Sequence, residues 1–122
     1  MNLTIFTDLP SANRQLRMHW TTRRKLKHAI LKELTVAVRA QTLKPVKREQ
    51  VKKCVTITLY RRGRRFDQDN AFGAVKPLVD ALRELGLIWN DSPRWLDLGV
   101  DQALDHRNPR VEIEISNVKE KP

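Results

Sequence analysis

Residues 51–86 read VKKCVTITLYRRGRRFDQDNAFGAVKPLVDALRELG, and this stretch decides the fold. From Val51 to Tyr60, the apolar Val55, Ile57 and Leu59 alternate with Cys54, Thr56, Thr58 and Tyr60. That is the period-two pattern of a strand with one buried face, written in residues that favour strands. Beyond Arg61-Arg62-Gly63-Arg64-Arg65 the period changes. Phe72, Val75, Leu78, Val79, Leu82 and Leu85 recur at helical spacing as far as Gly86. The spacing predicts a helix with Asp69 or Asn70 as its N-cap and Gly86 just past its end. Pro77 interrupts the run, and a proline there kinks a helix or marks the start of its regular part.

Working outward, Leu3 and Ile5 belong to a short strand closed by Leu9-Pro10-Ser11, and a loop carrying Asn13, Arg14 and Arg17 follows. From Thr21 or Thr22, a suitable N-cap, Leu26, Ile30, Leu34 and Val38 recur at helical spacing to about Gln41. The other face of that helix carries Arg23, Arg24, Lys25, Lys27, Lys32 and Arg39, a set that either meets phosphates or is simply solvated. Residues 42–50 read as a connection. On the C-terminal side, Asn90-Asp91-Ser92-Pro93 is a turn by composition. Two more strands are predicted near Trp95–Gln102 and Arg110–Ser116, joined by a turn at Asn108-Pro109, with a frayed polar tail from Asn117. A chain of 122 residues supports one modest core. The expectation is therefore a single α/β (α+β) domain over residues 1–122, a small mixed β-sheet with two main helices.

Composition narrows the function. Formal net charge is +10, which favours an electrostatic partner such as nucleic acid. The charge is unevenly spread. Residues 1–66 hold 17 Lys and Arg against three acids (+14), and residues 67–122 hold 7 against 11 (−4). Carboxylates repel a phosphate backbone unless a cation intervenes, so this acidic half does not suit a merely basic binding protein. No segment nears the roughly 20 apolar residues of a membrane span, and the N-terminus lacks the pattern of a signal peptide. A cytoplasmic location is the default expectation. The lone Cys54 excludes an internal disulfide and a cysteine-based zinc site, and reads as a small core residue. His19, His28 and His106 have no metal-ligand spacing.

The sign of the charge changes at Asp67. If the chain is still extended there, the carboxylates of Asp67 and Asp69 share one face with their Cα atoms about 7 Å apart. Such a pair can hold a hard cation. Magnesium takes a few carboxylates, keeps several waters and leaves room for a phosphate, which is what phosphodiester hydrolysis needs. The structural alternative is that these aspartates cap a helix and Asp91 serves a turn.

The run Arg61-Arg62-Gly63-Arg64-Arg65-Phe66-Asp67-Gln68-Asp69-Asn70, followed by Lys76, Asp80-Ala81-Leu82, Gly86 and Asn90-Asp91, resembles the central signature of the RusA family of Holliday-junction resolvases. Leu9-Pro10-Ser11-Ala12-Asn13-Arg14 is similar to that family's proline-rich segment. The resemblance implies a homodimeric endodeoxyribonuclease that cuts branched DNA with Mg2+, for which Mn2+ can substitute. Carried over by position, it makes Asp67, Asp69 and Asp91 the metal-binding catalytic carboxylates and Lys76 a catalytic lysine. Lys76 stands three residues later than in the family pattern, close to one helical turn, and Asn90 replaces one of a common aspartate pair.

Asn13, Arg14, Arg17, Arg61, Arg62, Arg64 and Arg65 are the expected DNA contacts, since the arginine fork meets phosphate oxygens bidentately. Gly63 lets the strand end bulge. Asp97, Asp101 or Asp105 could stand in for Asp91, and Asp80 reads as an ion-pair partner of Lys76. Trp20, Trp89 and Trp95 are expected in packing rather than in base stacking. Two rivals remain: a nuclease preferring flaps or forks, and a non-catalytic nucleic-acid-binding protein.

Overall fold

The computed structural model describes residues 1–118. In chain order the elements are β1 (Asn2–Ile5), α1 (Ala12–Arg17), α2 (Trp20–Gln41), β2 (Lys53–Arg61), α3 (Gln68–Glu84), β3 (Leu96–Leu104) and β4 (Arg110–Asn117). The strands form one mixed sheet in the order β1-β4-β2-β3. β4 pairs antiparallel with both β1 and β2, while β2 and β3 run parallel. A parallel pair needs a long crossover, and α3 supplies it. This is the small mixed sheet with two long helices that the sequence predicts.

The register explains the core. Val55 of β2 stands between Ile115 and Leu98, and Ile57 between Ile113 and Val100. Those rows meet Ile30, Leu34 and Val38 of α2 and Val75, Leu78 and Leu82 of α3 in one buried cluster. The opposite face of the sheet, with Thr56, Thr58, Glu112 and Glu114, has no helix over it and is half-buried or exposed. Cys54 points that way and is half-buried, not in the core as expected.

Several local expectations shift. Residues 12–17 are a helix, not a loop. The Ser11 hydroxyl accepts from the Arg14 N–H at 3.2 Å, and a single turn is too short to display an apolar period. α2 is capped by His19, whose Nδ1 accepts from the Thr21 N–H at 3.3 Å, so both threonines fall inside the first turn. α3 begins at Gln68 and runs through Pro77 to Glu84 as one α-helix. It ends as predicted at Gly86, which has φ +79°; the Leu87 N–H donates to the Leu82 carbonyl and the Gly86 N–H to the Arg83 carbonyl, both at 3.0 Å. This pair of hydrogen bonds is the Schellman closure, and it needs the left-handed conformation glycine tolerates.

Among the three tryptophans, Trp89 and Trp95 pack together with ring centroids 6.2 Å apart, but Trp20 is 61% exposed and lies outside the core. Among the described residues no helix is long and apolar enough to cross a membrane. The predicted frayed tail begins instead as strand at Asn117, and its last four positions lie outside the described residues.

Candidate nucleic-acid interface and carboxylate pair

β2 delivers the arginine run to one end of the sheet, and two contacts fix how the chain leaves it. The Arg61 guanidinium lies 3.6 Å from the centroid of the Phe66 ring, and its Nε donates to the Arg64 carbonyl at 3.3 Å. Gln102 of β3 then clamps Phe66: its Oε1 accepts from the Phe66 N–H at 2.8 Å and its Nε2 donates to the Phe66 carbonyl at 2.9 Å. Arg62, Arg64 and Arg65 remain exposed, and no carboxylate pairs with them among the described residues.

The clamp sets Asp67 at the start of α3. Asp67, not Asp69 or Asn70, is the N-cap: its Oδ1 accepts from the Asn70 N–H at 2.8 Å and its Oδ2 from the Asn70 side-chain amide at 3.0 Å. Asp69 is therefore the second residue of the helix, and the extended Asp67–Asp69 pair expected from spacing does not exist. Asp69 is exposed in the first turn, where the free N–H groups and the helix dipole favour a negative charge. Asn70 also reaches the chain's other motif, since its Oδ1 accepts from the Asn13 N–H at 3.3 Å. α1 is thereby held against α3. A Cβ on Gly73 would lie 2.2 Å from the Cβ of Ala12, and Gln15 donates to the Ala74 carbonyl at 3.2 Å. Asn13, Arg14 and Arg17 consequently share the N-terminal end of α3 with Asp67, Asp69 and the arginine run, though more than 40 residues separate the motifs.

Asp91 does not join them. It follows the C-terminal end of α3, where its Oδ1 lies 3.7 Å from Nη1 of Arg83. Arg83 is sixteen residues beyond Asp67, about 24 Å along the helix axis. Independently, Trp95 accepts from the Lys53 N–H at 3.0 Å, which ties the Asp91 turn to the start of β2, the opposite end from Arg61. Among the described residues no three of His, Cys, Asp and Glu are grouped to hold a metal ion. One chain thus offers Asp69 with Asp67 behind it, and its residues do not by themselves fit a three-carboxylate magnesium site.

The possible substitutes for Asp91 are otherwise engaged or distant. Asp97 pairs with Lys52 at 3.2 Å. Asp101 lies midway along β3. Asp105 does return to the right end, where its N–H donates to the Arg61 carbonyl at 2.8 Å, but its carboxylate is committed to Arg110 at 2.9 Å. Hydrogen bonds from the Asn108 backbone and then from the Arg110 side chain hold the Asp105 carboxyl below the usual aspartate range, while Glu112 first and Asp105 second raise Arg110 further. Lys76 is exposed two helical turns from Asp69 on the same face of α3, about 10.5 Å along the axis. No ion pair joins it to Asp80 among the described residues.

Sequence reading missed Gln102 as an organiser of this end, because its partner Phe66 lies thirty-six residues away; it also missed Arg110, whose partners Asp105 and Glu112 are close in sequence but form no recognised motif. It read Asn70 as a cap when it is the link between motifs. No family model matches this chain, and no curated protein matches it.

Proposed function

We propose that the protein is a homodimeric, magnesium-dependent endodeoxyribonuclease acting on Holliday junctions or related branched DNA. The observation that carries this reading is the Asn13–Asn70–Asp67 linkage, which brings an exposed carboxylate, Asp69, to the same end of α3 as five exposed arginines without acid partners among the described residues: Arg14, Arg17, Arg62, Arg64 and Arg65. Those arginines bind and position the phosphate backbone, and a cation beside Asp69 turns a carboxylate that would repel the phosphate into part of its site. When bound, magnesium would supply a lowered pKa for an attacking water and charge neutralisation at the phosphate.

The separation of Asp91 from Asp69 favours completion of the carboxylate set by two copies. Asp69, Lys76 and Arg83 follow one another every seven residues along the solvent face of α3, with Asp91 at the Arg83 end. A second copy laid antiparallel on this face carries Asp91 of the partner subunit toward Asp69, and each Arg83 toward an opposite charge. Lys76, between them, is placed to meet a phosphate.

The test is cleavage of a labelled four-way junction with and without magnesium by the native protein, by Asp69→Asn and Asp91→Asn separately, and by the two variants refolded together. Nicking lost in each variant and regained in the mixture is the expected result. Loss that mixing does not repair refutes the shared site, and tight binding without any cutting refutes the nuclease. Y-shaped and linear substrates in the same assay separate junction from flap or fork preference. A non-catalytic nucleic-acid-binding role is the second reading, favoured by one observation: Asp67 spends both oxygens on Asn70 as an ordinary helix cap.

A further inference from the structure

The end of the sheet beside Arg61 is hollow. Between the exit of β1, the end of β2 and the start of β4 lies an open cavity of about 330 Å³. Leu9, Leu59 and Val111, all buried, give it an apolar lining. Tyr60 and Arg110 form a wall, with the guanidinium 3.9 Å from the ring centroid. That guanidinium is held on two of its nitrogens: Nη1 donates to Asp105 and to the Asn108 carbonyl, both at 2.9 Å, and Nε donates to Glu112 at 3.0 Å. Its charge is balanced, so it acts as a rigid flat surface rather than as a free cation.

Two lining residues are not committed. Phe6 is 64% exposed, and the bond that anchors it is made by its backbone, whose N–H donates to Glu33 at 2.5 Å. Arg62 is exposed and without an acid partner among the described residues. Asp8 completes the rim with a group that only accepts hydrogen bonds, so it repels a phosphate and suits the amino edge of a base.

We propose that this cavity receives one unpaired nucleotide of a DNA strand, with the base stacked on Phe6 and the phosphate met by Arg62. Flat apolar surfaces beside a free arginine match the chemistry of single-strand recognition, in which any base offers a π-face and the backbone offers charge. A base inside a duplex has both faces covered and cannot enter. The inference rests on the DNA-processing reading above and deepens it: the cavity shares a sheet end with Asp67, and a branch point supplies unpaired bases that linear duplex does not.

The experiment follows 2-aminopurine fluorescence in a short single strand bound by the full chain, in chelator so that no cutting intervenes. Binding is expected to quench the probe. Phe6→Ala is expected to abolish the quench and weaken single-strand binding about tenfold, leaving duplex affinity unchanged, and Phe6→Tyr is expected to restore both. A quench that survives Phe6→Ala, or equal weakening on single strand and duplex, overturns the proposal. A deoxynucleoside monophosphate is added as competitor. Displacement only far above the strand's own concentration supports a strand as occupant, whereas displacement at matched concentration makes this a free-nucleotide pocket and overturns it. The two readings fail separately: quenching without any magnesium-dependent cleavage sinks the nuclease, and cleavage with an indifferent Phe6→Ala sinks the cavity.

Discussion

The two ends of α3 are built from the same kinds of residue and are left in opposite electrostatic states. At the C-terminal end the charges are consumed locally: Lys27 meets Glu84 at 2.9 Å, Arg83 meets Asp91 at 3.7 Å, and Arg48 donates to the Arg83 carbonyl at 2.6 Å beside the glycine closure. At the N-terminal end the cap is equally well made, but Asp69 and the surrounding arginines have no partner among the described residues. Exposed ion pairs are worth little to stability, so the balance at one end is no great asset to the fold. The imbalance at the other is an obligation on whatever binds there, because like-charged arginines repel until an anion arrives.

The largest effect is expected from neutralising the unpaired carboxylate at the N-terminal end. Asp69→Asn should lower magnesium-dependent cleavage by roughly 10²–10³-fold, on the scale of losing a single charge-stabilising group, while costing stability only about 0.3–1 kcal/mol, the worth of a negative charge in the first helical turn. An unaltered cleavage rate would put Asp69 outside the chemistry. Next in size is the contact that joins the motifs. Gly73→Val must push α1 away from α3, and it should cost about 1–3 kcal/mol as an overpacked contact while also reducing DNA affinity. If affinity holds while stability falls, Asn13, Arg14 and Arg17 are not part of the interface.

The caps sharpen the comparison further. Asp67→Ala should cost about 1 kcal/mol through loss of the Asn70 bonds, and Gly86→Ala a similar amount, about 1 kcal/mol, through strain at positive φ. Denaturation should read the two alike and cleavage should not, since only the first disturbs the Asp69 end. Arg64→Gln and Arg65→Gln should each reduce the slope of log affinity against log salt by about 1. The smallest effect concerns Asp105. Its carboxyl titrates lower in the folded protein than in the unfolded chain, so its contribution is present above the ordinary carboxylate range and fades as pH falls through the lowered value. The gap in Tm between native protein and Asp105→Asn should therefore be widest near neutrality and close in acid.

How far the site was legible follows from the reach of each interaction. The expectation of Asp67 and Asp69 on one extended face assumed that β2 continued past Arg65. Gln102, thirty-six residues on, instead holds Phe66 in place and lets the helix start at once. The cap stands two or three residues upstream of the expected Asp69 or Asn70 for that reason, and the geometry of the carboxylate pair moved with it. Lys76 is an intermediate case: its place on the Asp69 face follows from helical period alone, but its missing partner at Asp80 had to be seen. Asp91 marks the limit. Position along the chain cannot reveal that a continuous helix of seventeen residues stands between it and Asp67 within one copy.

What the sequence determined by itself is the set of elements apart from the short α1. Alternation in β2, the 3.6-residue period of α2 and α3, the glycine that ends α3 and the turns at Asn90 and Asn108 are all local consequences of backbone geometry and side-chain burial, and each is read within one window of residues. What only the tertiary structure decided is which charges meet. The pairing of Asn13 with Asn70, the clamp of Gln102 on Phe66, and the hollow between Phe6 and Arg62 all depend on sheet order and register. Those are set by packing one apolar face against two helices, and no stretch of sequence holds both partners at once.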